Sequence, residues 1–352
     1  MKRSLCLPLL CAVAMASSVA VAQPVGTLPA DAQQAAAHMV SQGAGGFSVG
    51  YGQRNTVTTL VHLGGMRPDQ AYAIASASKF LAAATVMALV DEGKLSLDQP
   101  IATWLPKLPA AAGRITLRQL LSQTSGLAGV QGEFYDLAQD HRITLAQSAL
   151  EIASRPLISR PGEVFAYGSG GFQLAGAVVE AVTGQRWAEV FRQKLGEPLG
   201  LSHTYWTHLR LDSDKELPVA ETLNPVLQGG AVSTASDYLR FLSMLAQGGV
   251  FEGQRVLSQA AVDAMLTDQT PHASMTSTGA NVLANAHYSL GNWCEMWDAQ
   301  GACVRNSSIG YFGVYPWIER KTGRFGIVFP YVHDNAFRFW PEIERIRDAQ
   351  AK

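Results

Sequence analysis

The sequence is short of charge and shorter still of cysteine, and each shortage excludes something. Only 16% of its 352 residues are Asp, Glu, Lys or Arg, and the two signs nearly cancel to a net charge of −1. No basic stripe is present, nor a platform of arginines and aromatics, which excludes nucleic acid and other polyanions as partners. A chain so poor in charge and 47% hydrophobic is expected to fold as a compact, well-buried globule. Long apolar runs are missing except at the start. There, MKRSLCLPLLCAVAMASSVAVA has a basic beginning, an apolar middle and small residues at Ala20 and Ala22, the pattern of a secretory signal cleaved before Gln23. Pro8, Ser17 and Ser18 interrupt the run and no second span follows, so no stable membrane anchor is expected. Residues 1–22 are thus expected to leave, taking Lys2 and Arg3, and the mature chain 23–352 is expected in the periplasm or outside the cell.

Of the four cysteines, Cys6 and Cys11 lie in that signal. Cys294 and Cys303 remain and bound the short loop CEMWDAQGAC, which in an oxidising compartment reads as a local disulfide. Two cysteines without a nearby histidine make half a zinc site. His203 and His208 read as a surface or core pair, so neither a metal nor another cofactor is expected.

What is present is chemistry at helical spacing. In AIASASKFLAAATVMALVDEG, residues 73–93, Ser76 stands three residues before Lys79 where an apolar helix begins. Residues i and i+3 share a helix face, so the lysine amine can take the serine's proton, and the serine can attack a carbonyl. The helix from Phe80 to Val90 is apolar on most sides and stops near Gly93. Burial in such a wall lowers an ammonium pKa, which a lysine base requires, while the helix start favours negative charge at Ser76.

The pattern along the chain predicts an α/β protein of the α+β type. A helix is expected over 29–43, then strands in GGFSVGYGQ, TVTTLVHLGG and QAYAIAS, then a mainly helical lobe over about 81–229. TASDYLRFLSMLAQG opens with a capping box in Thr234 and Asp237, a short helix is expected over 257–266, and strands return in YFGVYPWIER and RFGIVFPYV before a last helix near 337–350. Strands from both ends, about 23–80 and 230–352, form one antiparallel sheet with the helical lobe inserted and a helix from each terminus beside it.

SASK at 76–79, ITLRQLLSQTSGL at 115–127, YGSGGFQLAG at 167–176, EPLGLSHTYW at 197–206 and GGAVSTASDYLRFLSML at 229–245 follow one another in an order and spacing that resembles the serine β-lactamase and penicillin-binding-protein superfamily. The nearest likeness is to the branch of class C β-lactamases, DD-peptidases and related esterases. The resemblance implies Ser76 as nucleophile, Lys79 as its proton partner and Tyr167 as a sharer of acid and base work, its phenol pKa drawn down toward working pH. Ser169 stands where the family usually has asparagine and cannot present an amide donor and acceptor together. For the third family motif, Lys321, Thr322 and Gly323 read as a hairpin turn and a decoy. Ser308, Ile309 and Gly310 are the better match, with the Tyr311 amide joining that of Ser76 as an oxyanion hole. The family's cation is then missing, unless Arg305 supplies it from the side. Trp293, Trp297 and Trp317 are candidates to line an acyl pocket.

GFSVG at 46–50 matches the nucleophile elbow of another hydrolase class, but strand, turn and strand follow it, so Ser48 is expected to be a strand serine. The expectation is an exported serine hydrolase acting on a small-molecule or peptide substrate. Ester or amide hydrolysis ranks first, D-alanyl peptide cleavage second and β-lactam hydrolysis third; a non-hydrolytic binder of cell-wall peptides or β-lactams is the alternative of another class. No residue pattern speaks to oligomeric state.

Overall fold

The computed structural model describes residues 25–128, 140–168, 170–207, 209–210, 215–216, 218–277, 283 and 285–350; residues 1–22, expected as a signal, and Ser169 and His208 lie outside them. Helix α1 (Ala30–Ser41) leads into strands β1 (Phe47–Gln53) and β2 (Thr56–Leu63). After the short β3 (Tyr72–Ala73) come α2 (Ser78–Asp91), α3 (Leu117–Leu121), α4 (Leu145–Ala153), β4 (Val164–Ala166), α5 (Gly171–Thr183) and β5 (Tyr205–Trp206). Then follow β6 (Ala231–Ser233), α6 (Ala235–Ala246) and α7 (Gln259–Leu266). The chain closes with β7 (His287–Tyr288), β8 (Trp293–Trp297), β9 (Cys303–Ser307), β10 (Tyr315–Glu319), β11 (Arg324–Pro330) and α8 (Trp340–Ala349).

Seven strands form one antiparallel sheet in the order β7-β8-β9-β10-β11-β1-β2, so the two ends of the chain meet at β1 and β11, where Phe47 pairs with Pro330 and Gln53 with Arg324. Alternate side chains go to opposite layers. Phe47, Val49, Tyr51, Tyr315, Trp317 and Val328 pack on α1 and α8, whereas Ile318, Phe325, Ile327 and Phe329 join the core shared with α2, α5 and α6. Gly50 belongs to this second face, where an added Cβ would stand 2.5 Å from Leu239 of α6.

Helix α2 runs through the middle of that core, with every side chain from Ser78 to Leu89 buried, and the chain leaves it through Gly93 at φ +69°. In the cap of α6, Thr234 accepts from the Asp237 amide as expected. The Asp237 carboxylate does not return the bond. It reaches across to His203 N at 2.8 Å and Thr204 Oγ1 at 2.9 Å, tying α6 to the loop before β5.

Two expectations are corrected. Only two of the three N-terminal strands enter the large sheet; β3 pairs with β6 in a small three-stranded sheet next to the Ser76 turn. The stretch around Cys294 and Cys303 is more than a loop, for it supplies β8 and β9, joined by the disulfide. Their alternation is obscured because Glu295 and Arg305, charged but with side chains largely buried, point into an ion network with Arg347 of α8. Ser48 and the Lys321–Gly323 turn stand as read: Ser48 is buried on β1 with Oγ 2.8 Å from His62 Nδ1, and Gly323 N donates to Glu319 O across the β10–β11 turn.

Candidate active site

Ser76 sits in a single 3₁₀ turn, Ala75–Ala77, on top of α2. The residue before it, Ala75, has φ +44°, a left-handed conformation that costs a side-chain-bearing residue about 1 kcal/mol or more and persists only when its surroundings impose it. They do so here. Ile74 N donates to Ala231 O at 3.0 Å, Ala77 N to Ile74 O at 3.1 Å, and Ser78 Oγ to Ala75 O at 2.6 Å while accepting from Ala231 N at 3.1 Å. The turn is thereby fastened to β6, and Ser76 is left half-buried at the head of the helix.

Lys79 is 2% exposed, with Nζ 2.9 Å from Ser76 Oγ and 2.7 Å from Gln228 O. Burial lowers its pKa from 10.5 to about 7. At neutral pH a large fraction of the amine is therefore uncharged; one N–H then serves the Gln228 carbonyl and the lone pair can face the serine hydroxyl.

Tyr167 follows β4, hydrogen-bonds Ser76, and carries its ring 4.8 Å from Lys79 Nζ. Its phenol departs from the expectation. The pKa is pushed up to about 12, because desolvation outweighs the lowering by the Ser76 bond. The cause lies in distant segments: Trp293 of β8 stacks on the ring at 5.1 Å and 23°, Tyr288 of β7 meets it edge-on at 5.9 Å, and Phe165 stands 6.4 Å away. A phenol so held keeps its proton at neutral pH. It is suited to acid or relay chemistry, and the largely neutral amine of Lys79 to base chemistry.

The third motif is placed beside the nucleophile but used differently from expectation. Ser308, 3% exposed, has one hydroxyl proton to give, to the Ser76 carbonyl at 3.3 Å or to the Tyr238 oxygen, while Tyr238 Oη donates to Ala77 O at 2.8 Å. Its hydroxyl fastens the end of β9 to the nucleophile turn instead of facing a ligand. Gly310 lies against the same turn, where a Cβ would stand 2.2 Å from Ile74 O, so a side chain is excluded. Tyr311 follows with its side chain 62% exposed. Among the described residues, no acceptor takes the N–H of Ser76 or of Tyr311, which leaves both as candidates for an oxyanion hole.

Arg305 does not replace the missing cation. It bonds Glu319 at 3.0 Å and stands 3.9 Å from Glu295 and 3.8 Å from Asp348, on the α8 side of the sheet. Of the three tryptophans only Trp293 reaches the site. Trp317 packs on Tyr51 and Tyr315 in the other layer, and Trp297 lies against His287. Tyr238 and the Gln228 carbonyl were missed by sequence reasoning; the only signal was that Tyr238 lies within the block 229–245 and Gln228 immediately precedes it. Among the described residues no cluster of His, Cys, Asp and Glu could hold a metal.

An antiparallel sheet with its helical layers, a serine and a lysine one turn apart on a buried helix, and a tyrosine against both define a protein of the serine β-lactamase and penicillin-binding-protein superfamily. The Beta-lactamase family profile matches residues 32–336, and the chain belongs to that family. A putative β-lactamase from Bacteroides dorei, solved by crystallography, is 30% identical, with a TM-score of 0.74 over 86% of this chain and 90% of its own. Penicillin-binding protein 4 of Amycolatopsis lactamdurans is 32% identical over 218 residues, 56% of each chain. The 6-aminohexanoate-dimer hydrolase of Paenarthrobacter ureafaciens is 29% identical over 276 residues, 73% of this chain and 65% of its own. The chain spans about three fifths of the length of the curated relatives it matches.

Proposed function

We propose that this protein is an exported serine hydrolase that opens an uncharged ester or amide through an acyl-enzyme on Ser76. The observation that carries the reading is the 2.9 Å contact between Ser76 Oγ and a buried lysine amine whose pKa lies near 7. Neutral Lys79 takes the serine proton as Oγ attacks the carbonyl carbon, and the N–H groups of Ser76 and Tyr311 receive the developing oxyanion. Tyr167 passes a proton to the leaving group and regains it through Lys79. Water then attacks the acyl-enzyme, gives its proton to Lys79, and the acid departs as Ser76 Oγ recovers its own.

The substrate class follows from what the third motif lacks. A charged hydrogen bond to a carboxylate contributes about 1.5 to 3 kcal/mol, so binding of penicillins or D-alanyl peptides is weakened about tenfold or more without a cation there. Ser308 is buried and Arg305 is engaged elsewhere, which favours a neutral substrate. The relative named 6-aminohexanoate-dimer hydrolase supports the hydrolase reading. Export is part of the same proposal, supported by the N-terminal pattern and by the Cys294–Cys303 disulfide, which suits an oxidising compartment.

The test is the steady-state hydrolysis of p-nitrophenyl acetate beside a chromogenic cephalosporin, for the mature chain and for Ser76→Ala. Turnover of the ester by the wild type and its loss in the variant are expected. Faster turnover of the cephalosporin would move the β-lactamase reading ahead, and equal inertness of both proteins would favour the binder.

A further inference from the structure

Against the turn that carries Ser76 stands a run of aromatic rings that the reaction as described does not use. Phe312 is buried with Ala73 and Val232, and Ala75 and Tyr331 pack against that cluster, so the rings are built on the turn that carries Ser76. Tyr331 lies 5.1 Å from Phe312, 5.3 Å from Tyr72 and 4.4 Å from His333. Tyr311 meets Phe312 edge-on at 5.7 Å and 81°, and its own ring is 62% exposed, the most open of the large apolar side chains among the described residues. An isolated exposed tyrosine needs no explanation. One that continues a packed aromatic wall and adjoins a free backbone N–H beside the nucleophile forms one side of a site.

We propose that Tyr311, backed by Phe312 and Tyr331, binds a flat aromatic group on the acyl side of the substrate. The proposal rests on the hydrolase reading above and adds the substrate class. The leaving group must stay within reach of Tyr167 and Lys79, which return its proton, and the N–H of Tyr311 addresses the carbonyl oxygen. The Tyr311 ring therefore accompanies the acyl substituent. Rings attract one another edge-on or offset at centroid separations of about 4.5 to 7 Å, the spacing already present within the wall. Where the family places a cation, this chain places a buried serine, and the aromatic wall supplies the recognition instead.

The experiment compares kcat/KM for p-nitrophenyl phenylacetate and p-nitrophenyl acetate, which share a leaving group, in the wild type, Tyr311→Ala, Tyr311→Phe and Ser76→Ala. The wild type is expected to favour the phenylacetyl ester about tenfold or more, Tyr311→Ala to lose most of that ratio, and Tyr311→Phe to retain it. A wild-type ratio near one, a ratio unmoved in Tyr311→Ala, or one lost equally in Tyr311→Phe overturns the wall. Full activity of Ser76→Ala on both esters, or no turnover of either ester by the wild type, overturns the hydrolase reading and the wall with it. An inactive Ser76→Ala with an unmoved ratio sinks the wall alone.

Discussion

A lysine that must act as a base at neutral pH has to be stripped of water, and Lys79 is stripped by the helix that carries it. The sign of the effect is fixed: burial lowers the amine's pKa from 10.5 to about 7, so the neutral form gains as pH rises through that value. The kcat/KM of the hydrolysis should accordingly climb about tenfold per pH unit below 7 and level off above it. A limb found near 10 instead would remove Lys79 from the role of base. The pair itself was legible because i, i+3 spacing is a property of the sequence. The raised phenol of Tyr167 was not, since Trp293 and Tyr288 lie more than a hundred residues away and only the fold stacks them on its ring.

The elements around the site meet where no side chain can intervene. Gly310 passes Ile74 so closely that a methyl group would collide with a backbone oxygen at 2.2 Å, and backbone cannot swing aside as a side chain can. Gly310→Ala should therefore push the Tyr311 N–H off the oxyanion position, lowering kcat by about 10²-fold while the circular dichroism spectrum stays native; unchanged kcat would show that this amide does not serve the reaction. Helix α2 was readable from its unbroken apolar content and Gly93. Strands β8 and β9 were not, because Glu295 and Arg305 interrupt the alternation for the sake of partners, Arg347 for the first and Glu319 and Asp348 for the second, that only tertiary packing brings near.

Across the whole molecule, that partnership joins the last helix to the sheet. Glu295 is nearly sealed from solvent, with Tyr315 Oη donating to it at 2.5 Å, Ser307 Oγ at 2.8 Å, and the Arg347 guanidinium at 3.8 Å. Removing one member of a buried pair leaves an uncompensated charge. Arg347→Ala should cost about 3 to 5 kcal/mol of unfolding free energy in urea, and a loss below about 1 kcal/mol would mark the network as incidental. The gross plan, strands from both ends around a helical middle, was legible in the order of apolar patterns; the register that brings Phe47 beside Pro330 was not.

That register has a consequence for the chain before it is a protein. Strand β1 is made early, yet one of its two neighbours in the sheet is β11, nearly three hundred residues downstream. During synthesis the first hairpin has only one side of its hydrogen-bonding satisfied, and the long wait for the other delays closure of the sheet. The Tyr311 amide proposed for the oxyanion also arrives late, so on that reading Ser76 is translated long before it can be armed. A polypeptide with this wiring keeps that sheet edge open until its last strands are made, the slack state in which the proposed export would find it.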